Sequence, residues 1–262
     1  MTFEPPEALR VAHRDWRWSV AWEWPDAATT WRLEAQNGET RFVKAGRADR
    51  WPSGLDECAR MRWAGRFLRV PEVLESGSDG VVDWLLTVGL EGIDATRHPL
   101  REKPGELVTA LGRGLAAFHD GAPVEACPFQ FTAGAAVAHV RDRAERGLID
   151  ARKHLHPEHQ HLGVDAAIEQ LEALAPVDED LVVCHGDYCL PNVMLDDEGR
   201  VVGYLDLGEL GVADRWWDIA VGSWSATWNL GPGLEDLFMS SYGATPDTQR
   251  IAFYRLLYDL AS

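Results

Sequence analysis

The chain has 262 residues, 46% of them hydrophobic, which is enough apolar material for a sizeable core in one large domain or two modest lobes. Its 42 acidic and 25 basic residues leave a formal net charge of −17, which argues against nucleic acid as the main partner and either attracts a polycationic small molecule or serves solubility alone. No run of about 18 apolar residues exists, so no membrane partner is expected. The opening MTFEPPEALRVAHRDWRW lacks the apolar core of a signal peptide, which points to the cytoplasm. The four cysteines (Cys58, Cys127, Cys184, Cys189) form no small secreted framework and no zinc spacing, so buried free thiols are expected.

Residues 1 to 90 read as a strand-rich lobe with one helix, and residues 91 to 262 as a larger, mainly helical one. Trp18–Trp22 and Thr30–Ala35 have strand character. Asn37-Gly38 marks a hairpin turn into Thr40–Lys44, which places Phe42 and Lys44 on one face. Ser53 to Leu68 reads as a helix carrying Leu55, Ala59, Trp63 and Phe67 at i+4 spacing, with Ser53 and Asp56 in capping positions. Glu57 is then either a first-turn acid favoured by the helix dipole or the partner of a cation. Trp84–Val88 is the last strand of this lobe.

In the second lobe, residues 105 to 120 predict a helix with Leu107, Leu111, Leu115 and Phe118 on one face. Ala133 to Leu174 reads as helical, broken by KHLHPEHQHLG. The four histidines of that tract are better read as loop residues than as a metal site, because Pro157 interrupts the helix and no cysteine lies near. Thr245 to Leu257 predicts a capped amphipathic helix with Asp247 at the N-cap.

The chemistry concentrates between Leu181 and Ile219. An apolar run, Leu181–Cys184, leads into His185-Gly186-Asp187, with Asn192 five residues beyond the Asp. The polar turn Asp196–Gly199 reverses the chain into Val201–Leu205, which delivers Asp206. Two strands joined by such a turn would bring Asp187, Asn192 and Asp206 to one end of a hairpin. Hard oxygen donors of this kind suit Mg²⁺.

The ordered set HGD, LPN, DLG, GVADR and DIA resembles the aminoglycoside phosphotransferases, kinase-like enzymes, and above all those acting on a 3′ hydroxyl. The resemblance implies an α+β, protein-kinase-like two-lobe fold. It implies a small antiparallel-sheet N-terminal lobe that binds nucleotide, and a mainly helical lobe that carries catalysis and acceptor binding. It implies ATP, or GTP in its place, together with Mg²⁺, a cationic antibiotic as acceptor, and a monomer or homodimer. By the same resemblance Asp187 orients the acceptor hydroxyl, Asn192 and Asp206 hold the metal, and Lys44 contacts the phosphates with Glu57 as its partner. Phe42 stacks on adenine, and Val88 and Leu90 lie in the hinge that bonds its edge. Asp218 braces the catalytic loop. Acceptor amines would meet Asp150 and Glu158 in the helical insertion, Glu209 after the metal turn, and Asp259 with the carboxylate of Ser262 at the end of the chain.

Three departures stand out. The stretch Glu23–Thr30 contains no glycine to cover phosphates, leaving Thr29 and Thr30 as donors. Glu209 stands where the family usually has arginine. The final aromatic is absent. The acceptor therefore remains open among aminoglycosides and other hydroxylated molecules (a macrolide, a choline-like amine or a sugar), and a binding protein without turnover is the reading outside enzymes.

Overall fold

Alternating apolar residues and tight polar turns organise the first part of the chain as an antiparallel sheet. The computed structural model describes residues 2–261 and divides them into two units: residues up to Gly92 with Gly203–Glu209, and Ile93–Val202 with Leu210 onward. In the first unit a short helix α1 (Glu7–Ala12) precedes β1 (Arg17–Trp24), β2 (Ala28–Glu34) and β3 (Thr40–Arg47). Helix α2 (Gly54–Ala64) is followed by β4 (Val73–Ser78) and β5 (Val82–Val88), and the sheet order is β1-β2-β3-β5-β4. Leu9, Leu33, Val43 and Leu86 form a core on one face, and Trp16, Trp18, Trp31 and Trp84 pack against it.

Helix α2 differs from its expected face. It ends at Ala64, so Phe67 lies beyond it, and Leu55 and Ala59 are exposed. The buried side is Glu57, Cys58, Met61 and Ala64, at helical spacing, with Trp63 beside it. The i+4 stripe misleads because Glu57 is a core residue here, one whose charge is met inside the fold. The start is as expected: Ser53 and Asp56 form a reciprocal capping box. Strand β4, absent from the expected elements, completes the sheet beside β5.

The second unit starts at β6 (Ile93–Asp94) and continues with α3 (Pro104–Gly121), α4 (Ala133–Glu145), α5 (Ala151–His154) and α6 (Val164–Leu174). Leu107, Leu111, Leu115 and Phe118 of α3 are all buried. The insertion breaks earlier than expected, directly after α4, where Gly147 takes φ 66°. Strands β7 (Leu181–Cys184), β8 (Val193–Leu195), β9 (Val201–Tyr204) and β10 (Gly211–Asp214) follow, then α7 (Trp216–Leu230), α8 (Glu235–Tyr242) and α9 (Thr248–Ala261). The expected hairpin is re-paired. The Asp196–Gly199 turn joins β8 to β9, whereas β7 pairs antiparallel with β10. Asp247 caps α9 by accepting from the N–H groups of Gln249 and Arg250, each at 3.1 Å. No helix among the described residues is long and apolar enough to cross a membrane.

Candidate active site

Strand alternation places Lys44 and Phe42 on one face of β3, and Thr30 stands directly opposite Lys44 in the register with β2. Lys44 sits in mid-strand rather than at its end, because β3 runs on to Arg47. Its Nζ donates to Glu57 Oε2 at 2.8 Å and to Asp206 Oδ1 at 2.5 Å. Burial opposes the ammonium charge, but Asp206 and Glu57 more than offset it, so the group stays protonated beyond the usual lysine range. Burial pushes the Glu57 carboxyl up, and Lys44 pulls it back. The first-turn acid is therefore a buried ion-pair partner.

Asp206 takes φ 59°, a left-handed backbone uncommon for a residue with a side chain. Its side chain remains 46% exposed, while that of Glu57 is 8% exposed. Gly208 lets this segment lie close: a Cβ there would sit 2.7 Å from Pro52 Cγ. The Phe42 ring runs beside Gly89, whose added Cβ would be 3.2 Å from Phe42 Cε2. The Val88 N–H is already bonded to Glu72 O at 2.9 Å, and that of Gly89 to Thr40 O. Neither of these two N–H groups is free to bond a ligand. Thr29 is likewise engaged. It is buried, and its Oγ1 accepts from Phe3 N at 2.9 Å, so of the two threonines only Thr30 shares the face of Lys44.

In the second unit β7 feeds a loop that is held from several sides. Asp218, fully buried on α7, accepts from His185 N at 2.6 Å and Gly186 N at 2.8 Å, and its Oδ2 bonds His119 Nε2 at 2.9 Å. Trp217 Nε1 donates to Gly186 O at 2.6 Å, and Leu190 N donates to Ser225 Oγ at 3.0 Å. Asp187, thus presented, accepts at Oδ2 from Asn192 Nδ2 (2.8 Å) and at Oδ1 from the Tyr258 hydroxyl (2.9 Å). His119, Cys184 and Asp218 have ligating atoms within 4.8 Å of one another. The His119 nitrogens bond Tyr242 and Asp218, however, so the cluster braces the loop.

A model of the phosphotransferase enzyme family matches residues 24–254. The chain is 37% identical over 209 residues to an aminoglycoside 3′-phosphotransferase of Streptomyces fradiae, covering 77% of each. It belongs to the aminoglycoside phosphotransferase family. A streptomycin 3″-kinase of Streptomyces griseus is 33% identical over 225 residues, covering 77% of this phosphotransferase and 78% of the relative. The crystal structure of an aminoglycoside 3′-phosphotransferase of type VIII superposes with a TM-score of 0.86 at 32% identity, covering 97% of both chains. An aminoglycoside phosphotransferase of Streptomyces rimosus, solved with ADP and streptomycin, gives 0.77 at 28% identity over 97% of this chain and 96% of that one.

The phosphotransferase groups its expected site residues in two sets. Lys44, Glu57 and Asp206 meet in the first unit, where Glu209 closes the same returning segment. Asp187 and Asn192 meet in the second. The expected acceptor acids are less uniform. Asp150 is exposed and caps α5 through Arg152 N at 3.0 Å, and Glu158 is exposed. Asp259 is not available to an acceptor: it is buried, and its Oδ2 takes His156 N at 2.8 Å and His159 Nδ1 at 2.6 Å. The histidine tract is accordingly a loop docked on Asp259 and on the Trp224 ring. Ser262 lies outside the described residues. Tyr258 and Ser225 were not singled out from the sequence. Neither residue type carries a chemical signal of its own, and only packing brings them to the loop.

Proposed function

We propose that this protein transfers the γ-phosphoryl group of ATP, or of GTP, to a hydroxyl of an aminoglycoside. One observation carries the reading: a half-buried lysine ion-paired to Glu57 and Asp206, in a chain that also holds the braced Asp187–Asn192 loop and matches 3′-phosphotransferases along most of its length. Lys44 supplies a fixed positive charge for phosphate oxygens, and Glu57 keeps it directed. Phe42 and the Leu90 amide serve the adenine. Asp187 orients the acceptor hydroxyl and takes its proton as the O–P bond forms. Because the transition state is largely dissociative, positioning matters more than base strength.

The residues present fit Mg²⁺. Asn192 Nδ2 directs its donors at Asp187 O and Oδ2, which leaves the carbonyl Oδ1 for a cation, and Asp206 offers a half-exposed carboxylate. Both are the hard oxygen donors the ion prefers. When bound, the ion would neutralise charge on the β- and γ-phosphates.

The test is a coupled assay with Mg²⁺ and a panel containing kanamycin, neomycin, streptomycin, a macrolide and choline. Turnover with an aminoglycoside is expected, and Asp187→Ala should abolish it while nucleotide binding stays measurable. Undiminished turnover by that variant, or turnover only with the other acceptors, would overturn the reading.

A further inference from the structure

The contact between Tyr258 and Asp187 joins residues 71 apart in the chain, and nothing in the assigned chemistry uses it. We propose that Tyr258 is a positioning residue, whose hydroxyl holds the Asp187 carboxylate in the one orientation that receives the acceptor hydroxyl. The inference rests on the phosphotransfer reading and adds a residue to it.

A carboxylate turns about a soft, roughly two-fold torsion, so a donor on one oxygen leaves the other free to swing. Asn192 holds only Oδ2. Tyr258 holds Oδ1, and the two donors together fix the plane of the group. The Cys189 thiol also bonds the carboxylate, so three of its four acceptor sites are engaged and one is left for an incoming hydroxyl. Both donors are neutral, so neither competes with an acceptor's amines by charge.

The tyrosine is itself immobilised. Its ring lies 6.2 Å from that of Trp228, which packs at a tilt, 4.7 Å from buried Trp224, and the His156 ring sits 4.5 Å from Trp224. The next residue, Asp259, ties the end of α9 to His156 and His159. The histidine loop, the Trp224–Trp228 pair and the end of α9 thus form one packed support, and its polar tip is the Tyr258 hydroxyl. Misplacing a reacting group by about 1 Å costs on the order of 100-fold in rate. The support is therefore a determinant of kcat rather than of folding alone.

Tyr258→Phe keeps the ring and removes only the donor. The expected result is a fall in kcat of about tenfold or more, with KM for nucleotide and acceptor within twofold and an unchanged urea midpoint. An unchanged or higher kcat overturns the proposal, the latter because it would mark Tyr258 as an obstacle to the acceptor. The contact is read separately, without turnover, in protein labelled at the tyrosine ¹³Cζ, where five tyrosines contribute. The signal lost in Tyr258→Phe should move in Asp187→Asn and stay in place in Asp196→Asn. If it ignores Asp187→Asn, the positioning role is wrong even where the enzyme is active. A wild type that phosphorylates no acceptor overturns the functional reading and the role with it, while the resonance still scores the contact on its own.

Discussion

Glu57 shows how one residue sets several properties at once. It is 8% exposed, carries a charge that burial opposes, and is retained because Lys44 reaches it at 2.8 Å. Removing the cation leaves a buried carboxylate without its ion pair, a change that typically costs about 3–5 kcal/mol. We expect Lys44→Met to destabilise the protein by about 3 kcal/mol in urea unfolding, at the low end because Lys44 is partly solvated. ADP binding followed by calorimetry should weaken at least tenfold. Binding at wild-type strength would remove Lys44 from the phosphate role. A second residue sets a pH limit. Tyr242 is held at about 12, mainly by burial, with Arg215 partly offsetting it. An unfolded tyrosine loses its proton near pH 10, so above that the unfolded state binds fewer protons and stability falls as pH rises towards 12. Tyr242→Phe should flatten the decline of the melting temperature between pH 10 and 12, and an identical slope in both proteins would refute this origin. Lys44 and Asp187 were legible in the sequence because they sit in short ordered motifs. Tyr242 and Tyr258 were not, because each acts on a partner far away in the chain.

At the scale of elements, the loop that carries Asp187 is held by a helix rather than by its own strands. Asp218 of α7 accepts two loop amides, and its Oδ2 also meets His119, all three buried. Leaving each buried donor unpaired costs about 1–3 kcal/mol. Asp218→Ala should therefore lower stability by at least about 3 kcal/mol and abolish turnover, whereas stability close to that of wild type would contradict the brace. Helices α3 and α8 meet over Gly112, where an added Cβ would lie 2.5 Å from Phe238 O. Gly112→Ala should destabilise by about 1–3 kcal/mol through overpacking, read from urea unfolding, and a neutral effect would show that α8 can shift. The α3 face, the α2 capping box and the α9 cap were all legible, since each depends on residues two to four apart. The buried face of α2 and the pairing of β7 with β10 were not. The first depends on a partner for Glu57, and the second on a strand supplied by residues 211–214.

Over the whole molecule the charge of −17 acts on any polycationic acceptor before contact. Salt screens such a field, with a Debye length of about 8 Å at physiological ionic strength. Raising NaCl from low to about 0.3 M should increase acceptor KM several-fold and leave kcat and nucleotide KM nearly unchanged. An acceptor KM indifferent to salt would show that the net charge serves solubility alone.

By itself the sequence determined the order of the elements, the acidic character and the short motifs around Asp187, Asn192 and Asp206. These follow from backbone preferences and spacings that act over a few residues. Only the tertiary structure decided that Glu57 is buried with Lys44, that Asp259 faces inward to two histidines, and that Tyr258 grips Asp187. Those outcomes depend on which side chains meet across long stretches of chain. The meeting is selected by burying apolar surface and satisfying the polar groups carried inside with it, a condition that no local window of residues contains.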